Sequence, residues 1–428
     1  MSRPGADMAQ TAAEKILSRV LGADVAAGDI VFPEPELITV HDWYVVNFAA
    51  ALDELGVEEL FAPEKVVLVT DHEPTAVSPQ AAERQKQVRE IAARFGIDNH
   101  FDVGRGGHGH VFPVELGFVR PGMFVAGYDT HVPNYGAVGA LGIAMLTEIS
   151  EVLACGSAWL RVPETVRIEL TGRMAPGISI RDVAQRLIAD FDADQIDYTV
   201  VEFAGPALAD IDLDARFTLC NTPIDLGAKS ALVEPDDAVL AYLSDRVEGD
   251  LNPAYSDDDA LFRWRGGYDV NLLEPQVAAP PRPDNVVGVS EVAGTAVHHG
   301  FVGSCASSLL SDIRDTAAIL ANRVIHPRVR LFVTPGTQEI WRRAADEGLL
   351  QTLVDAGAIL TAPGCGPCAG GRVAPLASGE VSINTGTRND PGRLGPNDAD
   401  IYLASPLTVA ASAVAGEIVD PRELLAGD

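Results

Sequence analysis

The feature that most constrains this chain is a repeated local order: a short apolar strand, a polar turn at its C-terminal end, then a helix. Leu37 to Val40 runs into His41-Asp42 and a helical pattern from Trp43 to Leu55, closed by Gly56. Val66 to Val69 ends in Thr70-Asp71-His72-Glu73-Pro74, and a charged helix follows from Gln80 to Phe95. Met123 to Ala126 leads into Gly127-Tyr128-Asp129-Thr130-His131. Such alternation predicts parallel α/β sheets, in which ligands bind outside the C-terminal ends of the strands. His41, His72, His110 and His131 fall at or near such ends, as do Asp42, Asp71 and Asp129. One Asp-His pair there is more often an ordinary turn or cap. Three within the first third of a chain point to an active site.

The same order continues. Ahead of Met123 lies an unusual loop, GRGGHGHVFPVE, whose glycines surround His108 and His110, and Gly136 to Leu153 reads as a buried helix. Val166 to Leu170 and Tyr198 to Glu202 read as strands, Ile178 to Phe191 and Asp236 to Tyr242 as helices. Leu213 to Phe217 leads to Cys220-Asn221 and then Asp225, which share a face on a helical turn. Asp245 to Arg265 is acidic and irregular, a surface excursion, and the proline-rich stretch from Ala278 to Pro283 reads as a linker. Beyond it, Val297 to Val302 leads to Gly303-Ser304-Cys305, Ala358 to Leu360 to Cys365-Gly-Pro-Cys368, and Glu380 to Asn384 to the turn carrying Thr387, Arg388 and Arg393. The length of 428 residues suits roughly three domains, expected at 1–163, 164–284 and 285–428.

Charge excludes one class of partner. The chain carries 61 acidic against 31 basic residues, a net charge of −30, so it lacks the basic face that nucleic acid requires. Neither a signal-peptide core nor an apolar run of membrane-spanning length is present, which predicts a cytoplasmic protein with no membrane contact. In that compartment the five cysteines are thiols or metal ligands, and Cys155 and Cys220, in apolar surroundings, read as small buried hydrophobes.

Cys305, Cys365 and Cys368 are different, because each lies on a glycine-flanked turn. A C-x-x-C pair alone fits a redox site, half a zinc site or a cluster ligand pair. Redox use leaves Cys305 without a role, and three thiolates need a fourth ligand to close a zinc site. They suit an iron–sulfur cluster with one iron open to substrate. Arg388 and Arg393 share a turn and could clamp a di- or tricarboxylic acid, although a solvated basic turn is an even alternative.

Together, GSC at 303–305, CGPC at 365–368 and RNDPGR at 388–393 resemble the aconitase superfamily, most nearly its isopropylmalate isomerase and homoaconitase large subunits. The likeness runs nearly end to end: HD at 41–42, DH at 71–72, the His110-to-Glu115 spacing, G-x-D-x-H at 127–131, YGAxGA at 135–140, CN-x-x-x-D-x-GA at 220–228 and LASP near the end. It implies three α/β/α modules around a central cluster cleft, without the C-terminal swivelling domain of full-length aconitases. It implies a [4Fe–4S] cluster with one open iron, held by Cys305, Cys365 and Cys368, with Asn221 and Thr387 beside it. Asp71-His72 would protonate the departing hydroxyl, Asp129 would orient His110, and Asp225 would orient His131. Arg388 and Arg393 would bind substrate carboxylates with help from His41 and Thr130. A small subunit would supply the swivelling domain and the catalytic serine. The reaction implied is a dehydration–rehydration of a hydroxy di- or tricarboxylic acid, with 3-isopropylmalate the default.

The chain departs from the family pattern at Ala306-Ser307 (usually Thr-Asn), Thr387-Arg388-Asn389-Asp390 (Asn-Arg-Asn-Phe), Asp225 (Glu) and Thr130 (Ser). These changes leave open a homoaconitase-like enzyme for another substituted malate, or a non-catalytic iron–sulfur or zinc regulatory protein.

Overall fold

The computed structural model describes residues 9–247, 249–272 and 274–425. Within them the strand-and-helix order builds three sheets. The first holds β1 (Leu37–His41), β2 (Val66–Val69), β3 (His100–Phe101), β4 (Phe124–Tyr128) and β5 (Leu141–Ala144), all parallel, in the order β3-β2-β1-β4-β5. The second holds β6 (Glu164–Thr171), β7 (Thr199–Ala204), β8 (Ser230–Val233) and β9 (Trp264–Asp269), also parallel, in the order β8-β7-β6-β9.

The third sheet holds β10 (Gln276–Ala278), β11 (Val286–Gly288), β12 (His299–Val302), β13 (Arg330–Val333), β14 (Ile359–Leu360), β15 (Val381–Asn384) and β16 (Asp400–Leu403). Its order is β11-β10-β16-β15-β12-β13-β14, parallel from β16 to β14, with β10 and β11 added antiparallel at one edge. A separate antiparallel pair joins Ile30–Val31 to Leu160–Arg161.

Helices follow the strands where the start signals sit. Ser78 caps the helix Pro79–Arg94 by accepting from the Ala81 N–H, and Pro79 occupies a first-turn position that needs no donor. Ser405 and Pro406 repeat the device at Pro406–Ala415. Burial then sorts the strand residues by face, since successive side chains point to opposite sides. Ile38 and Val40 of β1, with Val66 and Leu68 of β2, pack against Val45, Phe48 and Leu52 of the helix Asp42–Leu55. Leu37, Val67 and Val69 face the other way, into a core shared with Val302, Leu331, Val333 and Ile383 of the third sheet. One apolar core therefore spans two sheets and holds their strand ends in a fixed relation.

Backbone hydrogen bonds lock the same junction. His108 N–H donates to Gly336 O at 2.7 Å and Gln338 N–H to Gly106 O at 3.0 Å. The approach needs glycine at 107: a Cβ there would lie 2.4 Å from Gly336 O, and φ is +131°.

Three expectations are corrected. The stretch Gly136 to Leu153 is not a helix: a 3-10 turn (Val132–Val138) is stopped by left-handed Gly139, β5 follows, and a helix spans only Ile149–Cys155. Small apolar residues buried on every side carry no period that separates strand from helix. The proline-rich stretch after Ala278 is a turn between β10 and β11 inside the third sheet, not a linker between sheets. The acidic excursion is irregular up to Arg263, but Trp264 and Arg265 already belong to the edge strand β9. Among the described residues no helix is long and apolar enough to cross a membrane.

Glu115, on the short helix Phe112–Glu115, joins the first and third units by accepting from Thr337 Oγ1 at 2.9 Å. Burial pushes its carboxyl up to about 8 from the ordinary 4.5; the Thr337 bond opposes this, and Glu339 and Asp214 add to it. A raised carboxyl means the fold favours the protonated form. That stability is fully present below pH 4.5 and is lost as pH rises through about 8. Glu115→Gln is expected to match the parent protein near pH 4.5 and to become increasingly the more stable of the two towards pH 8. Urea midpoints of both proteins across that range check it.

Candidate active site

The three sheets place their functional turns around one cavity of about 340 Å³. In the first sheet the strand order reverses between β1 and β4, and in the parallel part of the third between β12 and β15. Loops leave such a reversal on opposite sides and open a crevice at the strand C-termini. His41 ends β1, Asp71 and His72 follow β2, and Asp129 to His131 follow β4. From the third sheet, Cys305 follows β12, the pair Cys365 and Cys368 follows β14, and Thr387 to Arg393 follow β15. The second unit contributes Asn221, the last residue of the helix Leu213–Asn221, and Asp225 on the 3-10 turn Thr222–Leu226.

Asp71 sits at the centre of the histidine side. Its carboxylate bonds His41 Nδ1 at 2.9 Å, His72 Nδ1 at 2.9 Å and the Gly109 N–H at 2.8 Å. Burial alone would raise the Asp71 carboxyl, but the two imidazoles outweigh it and hold it well below the ordinary carboxylate range. His72 responds in the opposite sense. Burial works to lower it, yet the negative charge of Asp71 and the bonds to Asp129 and Asp42 hold it well above the usual histidine range. His72 is therefore a protonated imidazolium that lines the cavity, with Nε2 3.5 Å from Asp129 Oδ2.

Two more of the histidines that line the cavity, His110 and His131, are neutral. Asp129 Oδ1 lies 3.0 Å from His110 Nε2, so Asp129 orients both His110 and His72. Burial lowers His110, and burial assisted by the Arg393 and Arg388 charges pushes His131 down to about 3 against the pull of Asp129. Thr130 Oγ1 is 3.1 Å from His131 Nδ1, and both residues line the cavity.

Two sequence expectations change. His41 is completely buried behind His72 and His110, its ring 4.4 Å from that of His110, and it is absent from the cavity wall. It braces Asp71 and does not reach a substrate carboxylate. Asp225 makes no hydrogen bond to His131 among the described residues; the carboxylate beside His131 is Asp129, 3.9 Å from Nδ1. On its tight turn the short Asp225 side chain faces Arg388, 4.0 Å away, instead. Burial pushes it up to about 7 against the pull of Arg181 and Arg388.

The opposite wall is cationic and sulfur-rich. Arg393 Nη2 is 3.8 Å from Cys368 Sγ, and Thr387 Oγ1 is 4.0 Å from the same sulfur. Arg388 Nε donates to Asp390 at 2.9 Å, which leaves its terminal nitrogens towards the cavity side of the turn. Asn221 Nδ2 donates to Cys305 Sγ at 3.1 Å and to Asn134 Oδ1 at 2.9 Å, while Asn134 Nδ2 donates to Cys305 O.

Comparison with known proteins fits this arrangement. The aconitase family (aconitate hydratase) matches residues 15–295 and 290–416. The chain belongs to that family. It is 41% identical over 419 residues to "3-isopropylmalate dehydratase large subunit 1" of Methanopyrus kandleri, covering 98% of this chain and 100% of that one. The protein of the same name from Archaeoglobus fulgidus is 41% identical over 423 residues, covering 97% and 100%. The "3-isopropylmalate dehydratase large subunit" of Halothermothrix orenii is 36% identical over 420 residues, covering 98% and 100%. The chain is an aconitase-family hydro-lyase with the mixed α/β fold of that family.

The cysteines fit the cluster such enzymes carry. All three are buried and line the cavity together. Burial holds the Cys305 and Cys365 thiols well above their usual range, with neighbouring negative charge adding, so the thiolate forms need a cation between them. Among the described residues, the donor groups that converge to within 4.8 Å are His41–His110–Asp129, His41–Asp71–His72 and Asp71–His108–Cys365. The three cysteine sulfurs do not form such a group among the described residues.

Sequence reading missed several members of the site. Trp43 and Tyr44 line the cavity, although their helical pattern reads as core. Arg181, on an amphipathic helix, reads as surface; it is buried and donates to Gly386 O at 2.7 Å, holding the turn before Arg388. His108 carried a signal, the H-G-H pair with His110, and its ring lies against Cys365. Asp129→Asn should lower the turnover number by about 10²- to 10⁴-fold, the range for a general acid–base unit, with little change in thermal midpoint. Steady-state kinetics on the assembled enzyme and a melting curve check both halves.

Proposed function

We propose that this chain is the cluster-bearing large subunit of an isomerase that dehydrates and rehydrates 3-isopropylmalate. The observation that carries the proposal is the single cavity in which three buried cysteines, a protonated His72 and two arginines meet. The relatives' names and near-complete mutual coverage support the same substrate. A [4Fe–4S] cluster held by Cys305, Cys365 and Cys368, when bound, supplies Lewis acidity to a substrate hydroxyl and carboxylate.

The chain's own residues do the rest. Arg393, largely enclosed beside Cys368, and Arg388 bind the two carboxylates of a malate. His72 holds the proton that the departing hydroxyl takes up, and Asp71 and Asp129 fix the ring that delivers it. Asn221 and Thr387 hold the cysteine sulfurs in place. Trp43, Tyr44, Ile224 and Ala369 add apolar surface to the cavity lining, which suits a branched alkyl substituent. The relatives are named large subunits, so we infer a small-subunit partner that brings the swivelling domain and the serine base. A cytoplasmic location follows from this biosynthetic role.

Co-expression with the neighbouring small-subunit gene, anaerobic purification and an assay on a panel of substituted malates test the proposal. The expected result is a brown protein whose kcat/KM is highest for 3-isopropylmalate. Colourless protein containing zinc, or an intact cluster without turnover on any malate, would overturn it. Arg388→Lys keeps the charge but loses the two-point grip on a carboxylate. It should raise KM roughly tenfold, equivalent to about 1.4 kcal/mol, with a smaller effect on kcat.

A further inference from the structure

His108 is buried at 3% exposure, and neither the proposed reaction nor the motifs that mark the family use it. Its Nε2 lies 3.2 Å from Cys365 Sγ. Its Nδ1 accepts a hydrogen bond from the His110 N–H at 3.3 Å. A neutral imidazole has one donor and one acceptor nitrogen, so an accepting Nδ1 leaves the proton on Nε2. The nearest carboxylate, Asp71 Oδ2, is 3.7 Å from Nδ1, too far to reverse that assignment.

We propose that His108 positions Cys365 as a cluster ligand, by an Nε2–H···Sγ hydrogen bond whose direction the main chain of His110 sets. Both ends are fixed independently. The His108 N–H is bonded to Gly336 O at 2.7 Å, and the Cys365 N–H to Asp71 O at 2.9 Å. Ring and sulfur therefore meet without either having to search for the other, which is what tuning a ligand from behind requires. A donor to a ligand sulfur stabilises the more electron-rich state of the cluster and keeps that sulfur on its iron. The other two sulfurs have their own donors, Asn221 for Cys305 and Arg393 for Cys368. Each cysteine sulfur thus has at least one polar partner, and Cys368 has Thr387 Oγ1 as well.

The inference rests on the cluster in the proposed function but not on its substrate, and the test is read on the cluster alone. His108→Ala and His108→Gln are purified anaerobically beside the parent protein, in complex with the small subunit. Visible absorbance is followed under a ferrous-iron chelator, and the midpoint potential is measured by titration followed by electron paramagnetic resonance. His108→Ala is expected to lose its cluster roughly tenfold faster, in line with loss of a ligand's hydrogen-bonding partner, and to shift its potential negatively. His108→Gln, whose amide can donate to the same sulfur, should recover most of both. Unchanged chelation rate and potential in His108→Ala overturn the proposal, as does a His108→Gln indistinguishable from His108→Ala. A parent protein that takes up no cluster overturns the reading beneath it as well. Melting of the metal-free proteins separates a folding defect from a ligand effect: equal midpoints with unequal cluster lifetimes support the positioning role.

Discussion

The buried carboxylate of Asp71 is the interaction on which the rest of the site depends. An ionised carboxylate with no water around it is tolerated only when its lone pairs are filled and a counter-charge is close. Here the imidazoles of His41 and His72 and the Gly109 N–H supply that filling, and the Asp71 main-chain carbonyl holds the Cys365 N–H. One residue after β2 therefore ties together the end of β1, the glycine-rich histidine loop and the C-x-x-C turn of another sheet. Removing either histidine would leave the charge less well compensated, at a cost of up to about 3–5 kcal/mol, the range for broken buried pairs. Two histidines on one carboxylate also explain why His41 is unavailable to substrate.

That arrangement sorts the titratable groups into roles. Groups of similar chemistry acquire different protonation states when their surroundings differ, and the differences assign acid and base. His72, facing Asp71, Asp129 and the Cys365 sulfur, is loaded with a proton; His131, facing the arginines, has none to give near neutral pH. Asp129 is ionised between His110 and His72, whereas Asp225, on the arginine side, is pushed up to about 7. The net charge of −30 makes the local placement of Arg388 and Arg393 more consequential, because a dianionic substrate meets repulsion everywhere else.

Much of this was legible in the chain because strand ends carry function in open α/β sheets. β1, β2, β4, β12, β14 and β15 lie where short apolar runs place them, and the residues just beyond them built the cavity. What was not legible depended on packing between units. From Gly136 to Ile143 the chain is buried on all sides and has no polar face to reveal its period. Arg181 sits in the first turn of an ordinary amphipathic helix, and only the approach of the Gly386 carbonyl makes it part of the site. Asp225 is brought beside Arg388 by the second unit meeting the third, a distance no spacing along the chain encodes.

The same meeting of units explains why the cysteine site is also a joint. Cys305 comes from the third sheet, the amide on its sulfur from Asn221 of the second unit, and the acceptor for that amide from Asn134 of the first. Asn134 in turn donates to the Cys305 carbonyl, which closes the loop. These buried amide bonds link side chains from all three units, so losing any one unit would leave the Asn221 or Asn134 amide without its partner. Burial keeps the Cys305 and Cys365 thiols protonated, so the joint carries no thiolate charge of its own.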